Sequence, residues 1–203
     1  MRLIAEEFSL AIWKMEKDCD ALLSEFEYPE RFLPELEKIK STTRKQEFLS
    51  TRVLLKKMIG EERSILYHPS GKPYLNDCSF KISISHTKGY VAILLHPTRE
   101  VGVDIEHISP RVLRTMHKFL SENEMKNLSK TDKAIHALVY WSAKESMFKA
   151  LGKESVDFAG HLQIQDFSLQ KKGILSAKET TQNIEMKINY RILKDAVLTW
   201  VVC

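Results

Sequence analysis

The sequence predicts an α+β protein with two lobes of similar size, each built from helices and an antiparallel sheet. Two kinds of periodicity support this class. Apolar and polar residues alternate at 80–85 and 184–192, as in half-buried strands. Apolar residues recur at helical spacing within 42–59 and 133–151. Short turns between neighbouring strands favour antiparallel pairing.

The first half begins with a short apolar segment and a predicted helix at 14–26. A second helix is expected to begin at a cap on Thr42 or Thr43 and to end at Gly60, because hydroxyl side chains cap helix N-termini and glycine ends helices. Residues Thr87–Gly89 form a predicted turn between two strands. Strands are predicted at 80–85, 90–95 and 101–106.

The second half opens with helices and ends with strands. Ser121–Glu124 has the pattern of a capping box, and the long helix that follows ends near Gly152. Strands are predicted at 162–169, 184–192 and 196–202. The halves meet between His96 and Glu100, which gives an N-terminal lobe of residues 1–98 and a C-terminal lobe of residues 99–203.

Composition excludes several classes of protein. The chain has 203 residues, 43% hydrophobic and 29% charged, so it is neither collagen-like nor mostly disordered. Its apolar runs are far shorter than the roughly 20 residues of a membrane span, and acidic residues come too early for a secretory signal peptide. We therefore expect a soluble, cytoplasmic protein with no membrane partner. Three separated cysteines predict neither a disulfide framework nor a zinc site.

The charge is mildly basic and unevenly spread. A net charge of +4 is small for a dedicated nucleic-acid-binding protein. Between Lys38 and Lys57, however, seven basic residues accompany a single acidic residue, Glu47. This segment is either a solvated helix face or a site for phosphates or an acidic partner. Nucleic-acid binding is the weaker alternative, because Phe48 is the one aromatic residue in the segment that could stack on a base.

Two carboxylates lie two residues apart in the third predicted strand. Asp104 and Glu106 would project from one face while Val103 and Ile105 turn to the core. Carboxylates at this spacing can hold a divalent hard cation. Gly102, on the same face, is expected to leave room for a ligand. The alternative is an ordinary solvated strand face.

A second group of polar residues lies on the long helix. Trp141, Glu145 and Lys149 are four residues apart and share one helix face. An exposed Glu–Lys pair at this spacing would be a minor surface contact. The neighbouring aromatic residues argue instead for a partly desolvated pair of the kind found at functional sites.

Two further residues could contact an anion. His86 continues the inward phase of Ile82 and Ile84, so it is either a hydrogen-bonded core histidine or a phosphate donor at the end of the strand. Lys72 follows Gly71 in a turn that lacks the spacing of a Walker loop. Its ammonium could reach an anionic ligand or remain in solvent.

Four motifs occur in the order G-K-P-Y-L, S-I-S-H-T, V-G-V-D-I-E and W-S-A-K-E-S-M-F-K-A-L-G. In this order they resemble the 4′-phosphopantetheinyl transferase superfamily, of the two-lobed type named after the surfactin synthetase activator. The resemblance covers roughly residues 38–155. Its most specific part is the pair G-x-D-I-E and W-x-x-K-E-x-x-x-K, about 40 residues apart.

The resemblance implies transfer of the phosphopantetheine arm of coenzyme A to a serine of an apo acyl or peptidyl carrier protein, with Mg²⁺ and with release of adenosine 3′,5′-bisphosphate. By motif position, Asp104, Glu106 and Glu145 would hold the metal. Glu145 would also be the base for the serine, directly or through water. Lys149 and His86 would donate to phosphate oxygens in the transition state.

The other carried-over positions concern coenzyme A. Arg52 and, as a weaker match, Lys40 correspond to contacts with the 3′-phosphate. Lys72 and Ser85 fall where the family contacts the nucleotide, and Lys144 is expected to assist in binding phosphate. The basic segment would steer acidic carrier proteins.

The two-lobed type also implies two pseudo-symmetric lobes with one active site in the cleft between them, and a working monomer. One departure concerns the segment after the signature helix. The family often has a Gly-x-Gly-Leu run there, whereas this chain reads Gly152–Val156 as G-K-E-S-V. The alternative function is a non-catalytic module of the same fold that binds coenzyme A or a carrier protein.

Overall fold

The computed structural model describes residues 2–4, 8–152 and 155–203. Its first half contains the following elements: β1 (Arg2–Ile4), β2 (Ser9–Lys14), α1 (Cys19–Leu23), α2 (Leu33–Lys38), α3 (Thr42–Ile59), β3 (Ile65–Tyr67), β4 (Pro73–Leu75), β5 (Lys81–Thr87) and β6 (Tyr90–His96). The second half contains β7 (Val101–His107), α4 (Val112–Thr115), α5 (Glu122–Lys126), α6 (Lys133–Leu151), β8 (Leu162–Ile164), β9 (Lys172–Glu179), β10 (Ile184–Ile192) and β11 (Ala196–Val202).

Two antiparallel sheets form the body of the protein. The first has the strand order β1-β2-β6-β5 and the second the order β7-β11-β10-β9-β8, while β3 and β4 form a separate hairpin. Helices and antiparallel sheets together confirm the α+β class. Each large sheet uses strands from one side of the segment 97–100. The division into lobes 1–98 and 99–203 stays a prediction.

The core lies in layers on both sides of the sheets. The inner faces of the sheets share one buried cluster, in which Leu10 and Leu94 meet Val103 and Ile105. Helix α3 packs on the outer face of the first sheet and α6 on the outer face of the second. Because side chains alternate along a strand, Asp104 of β7 faces α6 while its neighbours face the core.

Local signals account for the boundaries of the two long helices. The cap of α3 is Ser41, whose side chain accepts from the Arg44 amide, and not Thr42 or Thr43. The helix ends at Gly60 and α6 ends at Gly152, both with the positive φ that favours glycine. The capping box predicted at Ser121–Glu124 is present.

Two predicted elements differ from the structure, and one strand of the structure has no prediction. In the region 14–26, the helix is limited to α1, because β2 extends to Lys14 and Asp18 caps the first turn. The strand predicted at 162–169 ends at Ile164. Strand β9 was not predicted, since Gly173 and scattered lysines obscure its alternation. The predicted apolar start lies partly outside the described residues, as do Lys153 and Glu154 of the departing loop. Within the described residues, no helix has the length and apolar character needed to cross a membrane.

Candidate active site

The candidate site forms where helix α6 crosses strand β7. A Cβ atom added to Gly102 would lie 2.8 Å from the carbonyl carbon of Ser146 and 3.0 Å from the amide nitrogen of Ala150. The expectation that Gly102 leaves room for a ligand is therefore wrong, because the backbone of α6 fills that space. The glycine instead allows the side chains of α6 to reach the carboxylates of β7.

Asp104 is the buried centre of this crossing. It is 3% exposed, and its Oδ1 accepts from Lys149 Nζ at 2.7 Å and from Ser85 Oγ at 2.9 Å. Lys149 also donates to the Val103 carbonyl at 3.2 Å. Among the described residues, no hydrogen-bond partner reaches the buried Oδ2. A buried carboxylate oxygen in this state can be satisfied by a cation or by water.

Glu106 lies two residues farther along the same face of β7. Its Oε1 accepts from the indole nitrogen of Trp141 at 2.9 Å, so the aromatic residue of the helix motif fixes a carboxylate of the strand motif. Burial raises the pKa of Glu106, and the negative charge of Asp104 raises it further.

Glu145 contributes the third carboxylate, from α6. Burial and then the charge of Asp104 raise the pKa of Glu145 to about 7, although the ammonium of Lys149 acts in the opposite direction. A carboxylate with a pKa near neutrality can both accept and return a proton at physiological pH. Repulsion among the three carboxylates also makes an added cation favourable.

The donors suit a hard divalent cation in kind. Mg²⁺ prefers carboxylate oxygens and usually completes its shell with water and substrate phosphates. Among the described residues, no three His, Cys, Asp or Glu side chains are grouped as a finished metal site. The carboxylates, with the unpartnered Oδ2 of Asp104, therefore fit a metal whose remaining ligands come from solvent or from a bound phosphate.

A ladder of hydroxyl groups joins the edge strands of the two sheets at this site. Ser83, Ser85 and Thr87 of β5 accept from three alternate amides of β7, at distances of 3.0, 3.3 and 3.1 Å. The donating amides belong to Val103, Ile105 and His107. The ladder sets the register of β5 against β7 and so places Ser85 beside Asp104. Sequence reasoning missed this role, although S-x-S-x-T within one strand is a visible signal.

Comparison with known proteins agrees with this geometry. Residues 100–201, which include the three carboxylates and Lys149, match the family model of the 4′-phosphopantetheinyl transferase superfamily. The chain belongs to this superfamily. Its predicted resemblance is thereby confirmed.

Two curated proteins are similar to this superfamily member. The 4′-phosphopantetheinyl transferase gsp of Aneurinibacillus migulanus is 32% identical over 114 residues, which are 53% of this chain and 46% of the relative. A phosphopantetheinyl transferase of Thraustochytrium sp. (strain ATCC 26185 / S-3) is 25% identical over 172 residues, which are 71% of this chain and 58% of the relative. The chain thus spans about half the length of the curated relatives it matches.

In the described part of this phosphopantetheinyl transferase superfamily member, cavities adjoin the crossing and the neighbouring strand β5. One of about 210 Å³ is lined by Lys72, Glu145 and Lys149. One of about 390 Å³ is lined by Arg52 and His86. A third, of about 1040 Å³, opens onto Glu106 and is walled by the rings of Phe119, Trp141 and Phe158, and we call it the aromatic cavity.

The structure brings His86 and Arg52 to one cavity. Both are predicted to contact phosphates, and a shared anion site requires that they lie together. His86 lies on the α3 side of β5, with Nδ1 3.5 Å from Glu47, and it is 37% exposed and not a core residue. Burial lowers the pKa of His86. Arg52 lies over the Phe48 ring at 3.3 Å, and burial lowers its pKa to about 10.

The other residues predicted to contact coenzyme A differ in whether their side chains can reach a ligand. Lys72 donates to Glu100 at 2.6 Å and to the Ala150 carbonyl at 3.1 Å, so it tethers the β3–β4 turn to the end of α6 while lining a cavity. Lys40 is exposed just before α3. The hydroxyl of Ser85 is fully used by Asp104, Lys149 and an amide of β7, which corrects the expectation that its side chain contacts the nucleotide.

Lys144 has a different position from the one expected. It is completely buried, and its ammonium donates to the Phe119 carbonyl at 2.7 Å, to Glu124 at 2.7 Å and to the Phe158 carbonyl at 2.9 Å. An ammonium has three donors, and all three are used. The prediction that Lys144 binds phosphate is therefore wrong.

Three of the seven basic residues between Lys38 and Lys57 form ion pairs with described residues of the protein. Lys56 contacts Glu62, Lys57 contacts Glu25 and Arg44 contacts Glu47, at 2.9, 3.0 and 3.2 Å. These pairs reduce the positive charge that the segment can offer to an acidic partner.

Proposed function

We propose that the protein transfers the 4′-phosphopantetheine group of coenzyme A to a serine of an apo acyl or peptidyl carrier protein, in a Mg²⁺-dependent reaction. The observation that carries this proposal is the crossing of β7 and α6, where Asp104, Glu106, Glu145 and Lys149 act on one another electrostatically. Membership of the superfamily makes phosphopantetheine the group to test first.

The carrier serine oxygen attacks the β-phosphorus of coenzyme A and forms the new P–O bond. The bond to the bridging oxygen breaks, and adenosine 3′,5′-bisphosphate leaves. Glu145 accepts the serine proton, directly or through water, from its place at the crossing beside Asp104 and Glu106.

Nitrogen donors stabilise the charge that develops on the phosphate oxygens. Lys149 reaches the crossing from α6, and its ammonium donates to Asp104, Ser85 and the Val103 carbonyl. Because its side chain is 26% exposed, unlike that of Lys144, a phosphate oxygen can replace one of these acceptors. His86 acts here as the imidazolium, which a bound phosphate favours: Nδ1–H faces Glu47 and Nε2–H donates to a phosphate oxygen in the adjoining cavity. Asp104, Glu106 and Glu145 would hold Mg²⁺. When bound, the metal would neutralise negative charge on the pyrophosphate.

The cavities divide the substrates between them. Arg52 and His86 receive the phosphate-rich nucleotide end, with Lys40 at the approach and Lys72 at the neighbouring turn. The aromatic cavity next to Glu106 receives the pantetheine arm and the carrier serine. Its rim carries exposed cations at Lys88, Arg111 and Lys118, for which the described residues provide no ion pair. We place the acidic carrier on this rim and not on the Lys38–Lys57 segment.

The architecture belongs to the same proposal. The lobes 1–98 and 99–203 are pseudo-symmetric, the active site lies in the cleft between them, and the protein works as a cytoplasmic monomer.

A transfer assay tests the proposal. Apo carrier protein, coenzyme A and Mg²⁺ should give a carrier whose mass has risen by one phosphopantetheine group, and chelation of Mg²⁺ should prevent the gain. Asp104→Asn and Glu145→Gln should each reduce the rate at least about 100-fold, the scale of one general base. Glu122→Gln alters an exposed carboxylate of α5 and is the matched control. Full transfer by Asp104→Asn would refute the metal assignment.

A non-catalytic module that binds coenzyme A or a carrier protein is the second candidate. The ion pair between Lys149 and Asp104 favours it, because two of the proposed functional groups already neutralise each other. Retention of coenzyme A in a binding assay, without transfer to any apo carrier of a panel, would favour this candidate.

A further inference from the structure

Lys144 is a buried charge that the proposed reaction does not use. Its Nζ donates to a carboxylate oxygen of Glu124 and to the carbonyls of Phe119 and Phe158, all within 2.9 Å. The side chain has no exposure to solvent. Such a charge is tolerated only when every donor has a partner, so its neighbours are held in a fixed arrangement.

The two carbonyls belong to the aromatic wall of the aromatic cavity. The Phe119 and Phe158 rings pack on Trp141, with centroids 5.0 and 5.5 Å away. All three residues line the cavity. Trp141 lies one helical turn before Lys144, and its indole nitrogen donates to Glu106.

The backbones at Phe119 and Phe158 lie outside the regular elements of the fold. Phe119 follows a short 3-10 turn, and Phe158 lies in a turn before β8, so neither belongs to a strand ladder or to the body of a helix. Glu124 completes the connection, because its other oxygen accepts from the amide of Ile164 in β8. One ammonium thus joins α6 to Glu124 of α5 and to the two segments that line the cavity, at Phe119 and Phe158.

We infer that Lys144 is a positioning residue, whose buried ammonium holds Phe119 and Phe158 against Trp141 and so shapes the cavity that opens onto Glu106. The geometric part stands on the contacts alone. The functional part, that this wall orders the pantetheine arm of coenzyme A, rests on the proposed function. Lys144 acts through the wall and not by touching substrate.

Fluorine NMR of protein labelled with 5-fluorotryptophan tests the geometric part. The chain has three tryptophans, Trp13, Trp141 and Trp200, which give one resonance each. Lys144→Met alone leaves Glu124 as a buried, unpaired charge and endangers folding. The double variant Lys144→Met/Glu124→Gln removes both charges while the Gln oxygen can still accept from Ile164.

In the double variant we expect the Trp141 resonance to shift or broaden while those of Trp13 and Trp200 stay in place. Lys133→Met, an exposed lysine at the start of the same helix, should move none of them. An unchanged Trp141 resonance would overturn the inference. Equal changes at all three tryptophans would also overturn it, because they indicate general loosening and not a positioned wall.

Calorimetric binding tests the functional part. In the double variant, coenzyme A should bind about tenfold more weakly, the effect of about 1.4 kcal/mol of lost ordering. Adenosine 3′,5′-bisphosphate, which lacks the pantetheine arm, should bind as before. Equal weakening of both ligands, or of neither, would refute the orienting role. If the unaltered protein binds neither ligand, the proposed function fails, and the Trp141 resonance alone decides the inference.

Discussion

Replacing Gly102 by alanine should separate the two elements that build the candidate site. Gly102 is not among the glycines with positive φ, so alanine can adopt its backbone conformation. The difficulty is space, since the new Cβ would lie 2.8 Å from the carbonyl carbon of Ser146 and closer still to the carbonyl oxygen. Those atoms belong to the helix backbone and cannot rotate away as a side chain could.

The structure gives the scale of the effect. Ordinary carbon contacts are about 3.5–4.0 Å, and the contact with the Ser146 carbonyl oxygen is the tightest, so α6 must withdraw by more than about 1 Å. Overpacking of this kind lowers the free energy of unfolding by about 1–3 kcal/mol. Alanine also restricts the unfolded chain more than glycine does, which raises the free energy of unfolding by about 0.4–1 kcal/mol. We take the upper end of the cost, because the new contact is with helix backbone, and the net loss is then about 2 kcal/mol. This corresponds to a melting temperature about 4–8 °C lower at this chain length. The 2.7 Å contact between Lys149 and Asp104 would lengthen beyond hydrogen-bond range.

Thermal unfolding and the transfer assay measure the two consequences. Gly160→Ala is the matched control, because its new Cβ would meet the end of the exposed Asp157 side chain, which can move. We expect the control to keep its melting temperature and its activity. A Gly102→Ala variant with unchanged melting temperature and unchanged transfer would refute the close crossing of β7 and α6.

Two further predictions concern buried polar groups. Ser85→Ala should lower the free energy of unfolding in urea by about 1–3 kcal/mol, because the buried Ile105 amide loses its acceptor, whereas Ser79→Ala at an exposed turn should change little. His136 is 2% exposed, accepts from the Ser129 amide through Nδ1, and has a pKa lowered by burial, so the unfolded chain binds its proton more readily. The neutral His136 contributes its full stability above pH 6.5, and this contribution falls by up to about 1.4 kcal/mol per pH unit as the pH drops below that value. His136→Gln should therefore flatten the pH dependence of the free energy of unfolding. Parallel pH curves for the two proteins would contradict this.

The elements that the sequence predicts best are those whose signals are local. Strand β10 spans 184–192 as its alternation indicates, and α3 and α6 end at the glycines that punctuate them. Strand β9 lacks such a signal. Its register comes from pairing with β8 and β10, which is a tertiary effect that the segment itself does not encode.

The candidate site divides in the same way. Residue type and spacing single out Asp104, Glu106, Glu145 and Lys149 because carboxylates and amines carry recognisable chemistry. The role of Gly102 could not be predicted, since it depends on a helix that begins about 30 residues later and on how closely that helix packs. A glycine in a strand fits both room for a ligand and close approach of another backbone.

Helix geometry alone would have predicted that the two lysines of the helix motif have different roles. An α-helix turns by about 100° per residue, so Lys144 and Lys149 point about 140° apart and are poorly placed to contact one phosphate together. Lys149 stands one turn after Glu145, on the side that faces Asp104, whereas Lys144 faces Glu124 beneath the aromatic cavity. Two lysines of one motif thus have different roles. The lysine side chain that reaches the candidate site is partly exposed, and the one that supports the wall of the aromatic cavity is sealed from solvent.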